Sequence, residues 1–143
     1  MIHGQCLCGE VTFALAVDEL RLYQCHCSEC RRVSGSSANA AALLPQTQFR
    51  WQGDANSIIS YRAPSGYRND FCSQCGCSVP NTIGDGTWMW IPAGLLDNIP
   101  NIRRTAHIHL TSAATWETSE TTHSFDDSPG LEMLKQLLHL AKS

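Results

Sequence analysis

The sequence predicts a mainly-β domain of short antiparallel strands, with a short helix after its second cysteine cluster and another helix at its end. Three observations carry that reading. Short runs rich in strand formers recur along the chain. Turn-forming residues punctuate them. Clear helical periodicity is confined to the C-terminus.

Residues 11–17 alternate apolar and polar positions only loosely, but they are rich in strand formers. Residues 20–25, 38–44, 57–62, 66–71, 87–91 and 106–110 are the further short strand candidates. Gly53-Asp54, Pro64-Ser65-Gly66, Gly84-Asp85-Gly86 and Asp97-Asn98 supply turns between them. Residues 28–34 suit a short helix ended by Gly35. In the last helix Ser128 is the expected cap and Pro129 suits the first turn. Leu131, Leu134 and Leu138 follow at helical spacing, and Met133, Leu137 and Leu140 add a second apolar stripe. So wide a stripe suits core packing or a subunit contact. We therefore expect residues 1–127 to form the main domain. Residues 128–143 are expected to pack on that domain, or on a partner subunit in a homodimer.

The chain has 143 residues, enough for one hydrophobic core. Its 43% hydrophobic and 16% charged residues are those of an ordinary globular protein. A net charge of −3 argues against nucleic-acid binding, and the pairs Arg31-Arg32 and Arg103-Arg104 extend into no basic run. No apolar stretch approaches the roughly 18 residues of a membrane span, and the N-terminus lacks a signal-peptide pattern. The expectation is a cytoplasmic protein in a reducing compartment, where its eight cysteines point to metal sites or reactive thiols rather than disulfides.

Those cysteines fall in three clusters: Cys6-Leu7-Cys8, Cys25-His26-Cys27-Ser28-Glu29-Cys30, and Cys72-Ser73-Gln74-Cys75-Gly76-Cys77. Zinc prefers soft thiolates in a tetrahedron. Cys72 and Cys75, followed by Gly76, have the form of a metal knuckle. Cys6 and Cys8, two apart on an extended chain, face one way and could complete its tetrahedron. Cys25, Cys27 and Cys30 then remain as three ligands with one position open, the pattern of a catalytic zinc. Spacing alone leaves a second arrangement open, in which all three clusters build closed sites with His26 or Cys77 as the eighth ligand. His26 lies between two ligands and would point away from their face, which suits orienting or packing. Cys77 suits a small buried hydrophobe or a redox-active thiol.

At these residues the chain resembles the glutathione-dependent formaldehyde-activating enzymes, whose domain is shared with centromere protein V. The resemblance lies in Gly4-Gln5-Cys6-Leu7-Cys8-Gly9-Glu10-Val11, in the run from Cys25 through Arg31-Arg32-Val33-Ser34 to Gly35, and in Phe71-Cys72-Ser73-Gln74-Cys75-Gly76. His107-Ile108 and Ser112-Ala113-Ala114-Thr115-Trp116 resemble the family's closing strand. The resemblance implies a β-tent, its sheets pinned by zinc. It also implies a structural zinc on Cys6, Cys8, Cys72 and Cys75 and a catalytic zinc on Cys25, Cys27 and Cys30. Where the family commonly has a small hydroxyl residue after the glycine, this chain has Cys77.

The implied activity is that of a carbon–sulfur lyase, forming or cleaving an S-hydroxymethyl adduct between glutathione, or a similar thiol, and formaldehyde or another small aldehyde. Three thiolates make a zinc a modest Lewis acid, so positioning of the thiol should matter more than carbonyl polarisation. Arg31 and Arg32 are candidates to meet a carboxylate of the thiol, against a reading as a solvated helix end. Trp88, Trp90 and Trp116 suit a cleft wall or core. His107 and His109, expected on the same side of a strand, suit acid–base work or packing. Two rivals stand beside this reading: a zinc scaffold without turnover, and a thiol redox enzyme using Cys77 or a middle-cluster thiol. Against the second, no cysteine follows Cys77.

Overall fold

The computed structural model describes residues 1–97, 101–117 and 125–137. In chain order the elements are β1 (Ile2–Gln5), β2 (Thr12–Leu15), β3 (Leu20–Cys25), α1 (Ser28–Ser34), β4 (Asn39–Pro45), β5 (Phe49–Trp51), β6 (Ile58–Arg62), β7 (Arg68–Cys72), β8 (Asn81–Ile83), β9 (Trp88–Pro92), β10 (Ile102–Ile108) and α2 (Leu131–Leu137). The domain is mainly β, as expected, with short strands, two cysteine clusters and a short C-terminal helix. No helix among the described residues is long and apolar enough to cross a membrane.

The strands form three sheets, ordered β1-β2-β5, β10-β3-β4-β9-β8, and the ribbon β6-β7. Every pairing is antiparallel except that of β10, which runs parallel to β3. Phe13, Leu15, Leu20, Leu44, Met89 and Ile91 make the main core, drawn from the first two sheets. Phe13 is fully buried beneath Gly4, where any Cβ would run into its ring. That close approach explains a glycine inside a strand. A smaller core of Cys6, Val11, Cys72 and Val79 joins the first turn of the chain to the β6-β7 ribbon.

Most expected elements appear within a residue or two of their predicted limits. α1 spans Ser28–Ser34 and ends on Gly35 in the left-handed conformation, φ 62°, whose N–H bonds the Arg31 carbonyl. β1, β5 and β8 were not expected from the pattern. The last strand begins earlier than predicted, at Ile102, and His109 has left it with φ 58°. His107 and His109 therefore do not share a strand face. α2 begins at Leu131, after the Ser128 hydroxyl has accepted the Gly130 N–H ahead of the helix. Leu131 and Met133 are exposed. Leu138, Leu140 and Asn98 lie outside the described residues, as does the side chain of Leu134.

Candidate metal centres and the adjoining cleft

The first centre gathers Cys6, Cys8, Cys72 and Cys75, whose sulfurs all lie within 4.8 Å of one another. Cys6 and Cys8 sulfurs are 3.6 Å apart, and those of Cys8 and Cys72 3.8 Å. A tetrahedral zinc with Zn–S near 2.3 Å sets sulfurs ~3.8 Å apart, so this donor set fits zinc in spacing as well as softness. Two turns build it. Beyond β7, the Gly76 N–H bonds the Cys72 carbonyl at 2.7 Å, and Gly76 takes φ 74° as the knuckle requires. The first pair differs from expectation. Cys6 and Cys8 do not lie on an extended strand, because β1 ends at Gln5. The Gly9 N–H bonds the Cys6 carbonyl at 3.1 Å and Gly9 takes φ 81°, so a turn brings the two sulfurs together.

Cys77 stays outside this set. Its sulfur faces the Ser78 carbonyl at 3.5 Å, and burial first, then the nearby sulfurs, push its thiol up. Among the four, the N–H groups of Cys77 and Cys8 aimed at Cys75 hold that thiol down at about 6. The Glu10 N–H pulls Cys8 the same way. Desolvation and the neighbouring sulfurs outweigh it, and Cys8 is pushed up to about 12.

The second centre brings together Cys25, Cys27 and Cys30, again with all sulfurs within 4.8 Å. Cys25 closes β3, Cys27 is the N-cap of α1, and Cys30 lies buried in that helix. The Cys27 sulfur takes the place of a capping oxygen, accepting the Cys30 N–H at 3.3 Å. Burial raises Cys27, but that N–H and hydrogen bonds with Cys25 and Cys30 outweigh it and leave the thiol lowered. Burial pushes Cys30 up to about 12, the Tyr67 hydroxyl opposing and the other two sulfurs adding. Burial also raises Cys25. Cys27 is thus the thiol of this cluster that most readily gives up its proton.

His26 behaves as an orienting and packing residue. Its backbone N–H bonds the Ile108 carbonyl at 3.0 Å, and its buried ring meets His107, Nε2 to Nδ1, at 2.9 Å. This pair ties the cysteine segment to β10.

The two centres differ in what they face. Cys25 and Cys30 line a cleft of about 520 Å³ together with Tyr23, Arg62, Tyr67, Arg68 and Trp90. Among the described residues, no carboxylate lines it. Arg68 is committed elsewhere, its Nε and Nη2 held by the buried Asp70 carboxylate at 2.8 and 2.7 Å and its Nη1 donating to Thr82 at 3.2 Å. Arg62 has no carboxylate partner among the described residues. It is the cation the cleft offers. Arg31 and Arg32, expected to bind substrate, lie near the end of α1 and are not among the lining residues. Of the three tryptophans considered, Trp90 lines the cleft while Trp88 and Trp116 are exposed.

Arg62 and Tyr67 were missed because they arrive from the far hairpin. In the β6-β7 loop the Ala63 N–H bonds the Tyr67 carbonyl and the Gly66 N–H bonds the Ala63 carbonyl. The Ser65 hydroxyl then donates to Glu29 on α1. The turn signal at Pro64-Ser65-Gly66 was legible, but not the surface it would meet.

These features define a class: a mainly-β domain with one four-sulfur and one three-sulfur cluster able to hold a metal ion, the second opening on a cleft of mixed polar and aromatic lining. Residues 1–112 match the family model described as glutathione-dependent formaldehyde-activating enzyme. The chain belongs to that family. A crystal structure of a Rhodobacter sphaeroides protein is similar in fold, with a TM-score of 0.55 and 21% sequence identity, covering 72% of this chain and 99% of its own. No curated protein matches the chain.

Proposed function

We propose that the chain is a zinc-dependent carbon–sulfur lyase that makes and cleaves an S-hydroxymethyl adduct between glutathione, or a similar thiol, and formaldehyde or a small aldehyde. The observation that carries this reading is the unequal setting of the two clusters. The four-sulfur set fills a tetrahedron from the protein alone, whereas the three-sulfur set lacks a fourth protein ligand among the described residues and borders the cleft.

Cys6, Cys8, Cys72 and Cys75 would hold one zinc and Cys25, Cys27 and Cys30 the other. Zinc at the second cluster supplies positive charge that keeps a thiol in its reactive, deprotonated form. The chain's own residues bind and orient. Arg62 attracts a carboxylate of the thiol into a cleft without opposing carboxylates. Tyr23 and Trp90 add aromatic walls to the same cleft. Family membership and the reducing environment suited to eight unbridged cysteines support a cytoplasmic enzyme using glutathione.

Zinc per chain is measured on fresh protein with and without glutathione, with X-ray absorption of the metal shell. The expected result is two zincs, one gaining a sulfur with the thiol. One zinc, or two that ignore glutathione, would favour the non-catalytic scaffold. Enzyme turnover is then read by NMR exchange between ¹³C-formaldehyde and its glutathione adduct.

A further inference from the structure

We propose that the Tyr67 hydroxyl is a catalytic hydrogen-bond donor to the aldehyde oxygen. This role rests on the carbon–sulfur chemistry proposed above, and names the group that meets the charge that chemistry creates.

When a thiolate sulfur attacks the carbonyl carbon, a carbon–sulfur bond forms and the carbonyl π pair moves onto oxygen. The alkoxide then takes a proton from water, balancing the proton the thiol released earlier. Stabilising that oxygen as its charge grows lowers the barrier, and a fixed donor in a partly enclosed cleft does so at little reorganisation cost.

Several lining donors are engaged elsewhere. The Arg68 guanidinium is occupied by Asp70 and Thr82. The Asn81 amide donates to the Thr82 carbonyl at 2.9 Å. Tyr67 differs. Its hydroxyl lies 3.5 Å from the Cys30 sulfur, so it is the cleft hydroxyl in hydrogen-bond contact with the cluster. The hairpin end holds it there: the Tyr67 N–H bonds the Ser65 hydroxyl at 3.3 Å, and that hydroxyl donates to Glu29 on the helix carrying Cys30. An oxygen–sulfur contact of 3.5 Å is long and weak beside the roughly 2.6 Å bond a hydroxyl makes to an anionic oxygen. The O–H thus gains more from the transition state than it gives up in the resting cleft.

The test is Tyr67→Phe, which removes one oxygen and keeps the ring. Formaldehyde–glutathione exchange should fall about 100-fold with the KM for glutathione unchanged. The cobalt-loaded variant should keep the wild-type thiolate-to-cobalt absorption and its change on adding glutathione. With trifluoroacetaldehyde, whose alkoxide is less basic, the loss should shrink several-fold, a dependence no merely structural role would produce. A variant as fast as wild type overturns this role alone. A variant that loses glutathione binding or the cobalt spectrum shows a structural role and overturns it too. If the wild-type protein does not accelerate the exchange, the proposed function falls and this role with it.

Discussion

The two cysteine clusters gather their sulfurs in different ways, and the difference lies in where the cysteines sit along the chain. Cys8 and Cys72 are 64 residues apart, and their sulfurs meet beside a small apolar core in which Cys6 and Cys72 pack with Val11 and Val79. A metal there closes a long loop and opposes the entropy of the open chain. Cys25, Cys27 and Cys30 come from one strand end and the first turns of α1, so a metal there closes almost nothing. A metal there would have little stabilising work to do, and Cys25 and Cys30 line a cleft.

Removing one cysteine from each cluster should have very different effects. Cys72→Ser should leave an incomplete tetrahedron and lose a structural metal's binding energy, about 10 kcal/mol, enough to leave a domain of ordinary stability largely unfolded. Loss of the cooperative thermal transition would register it. Cys27→Ser should remove one metal equivalent and the aldehyde exchange while shifting the thermal midpoint by only a few degrees. Equal destabilisation by both variants would show that the second cluster is also structural.

A graded chelator titration sharpens the same contrast. The three-sulfur cluster should release its metal first, with near-native circular dichroism, and the four-sulfur cluster only as the fold is lost. Simultaneous release would contradict the division. Smaller again is Arg62→Ala, expected to raise the KM for glutathione about tenfold, the lower range for a hydrogen bond to a charged group on a solvent-facing side chain. A neutral thiol such as 2-mercaptoethanol should be unaffected by it. Arg32→Ala, on an exposed helix position outside the cleft, should change neither constant by more than about twofold.

What was legible in the sequence was mostly local. α1 could be read because Gly35 must supply a left-handed cap, and β3 because a short run of strand formers ends at the cysteines. The knuckle at Cys72 could be read from Gly76. Local signals failed where a strand was too short or contained a glycine. Phe49-Arg50-Trp51 is three residues long, and Gly4 reads as a breaker until the Phe13 ring is seen beneath it. The parallel seat of β10 on β3 left no trace in the pattern, because exposed Arg103 and Arg104 hide its strand character. For the site, cysteine spacing offered the two sulfur groups that the fold brings together, but left open whether the second is closed. The cleft needed the meeting of the hairpin end with α1, a contact between segments more than 30 residues apart. Proximity to Cys30 in sequence favoured Arg31 and Arg32, whereas the residues that share a cleft with Cys30 include Tyr67 and Arg62.

The spread of the ligands also bears on how the chain is made. During translation the segment from Cys25 to Cys30 leaves the ribosome well before Cys72 and Cys75 exist, so its three thiols can capture a metal on a nascent chain while Cys6 and Cys8 still wait for their partners. The order of synthesis predicts metal at the three-sulfur cluster first and at the four-sulfur cluster last. Arrested nascent chains ending near residue 60 should already retain one cobalt with a thiolate spectrum; chains without it would refute that order. At equilibrium the order reverses: in a cell short of metal the three-sulfur cluster, which yields its metal first, is the one left empty.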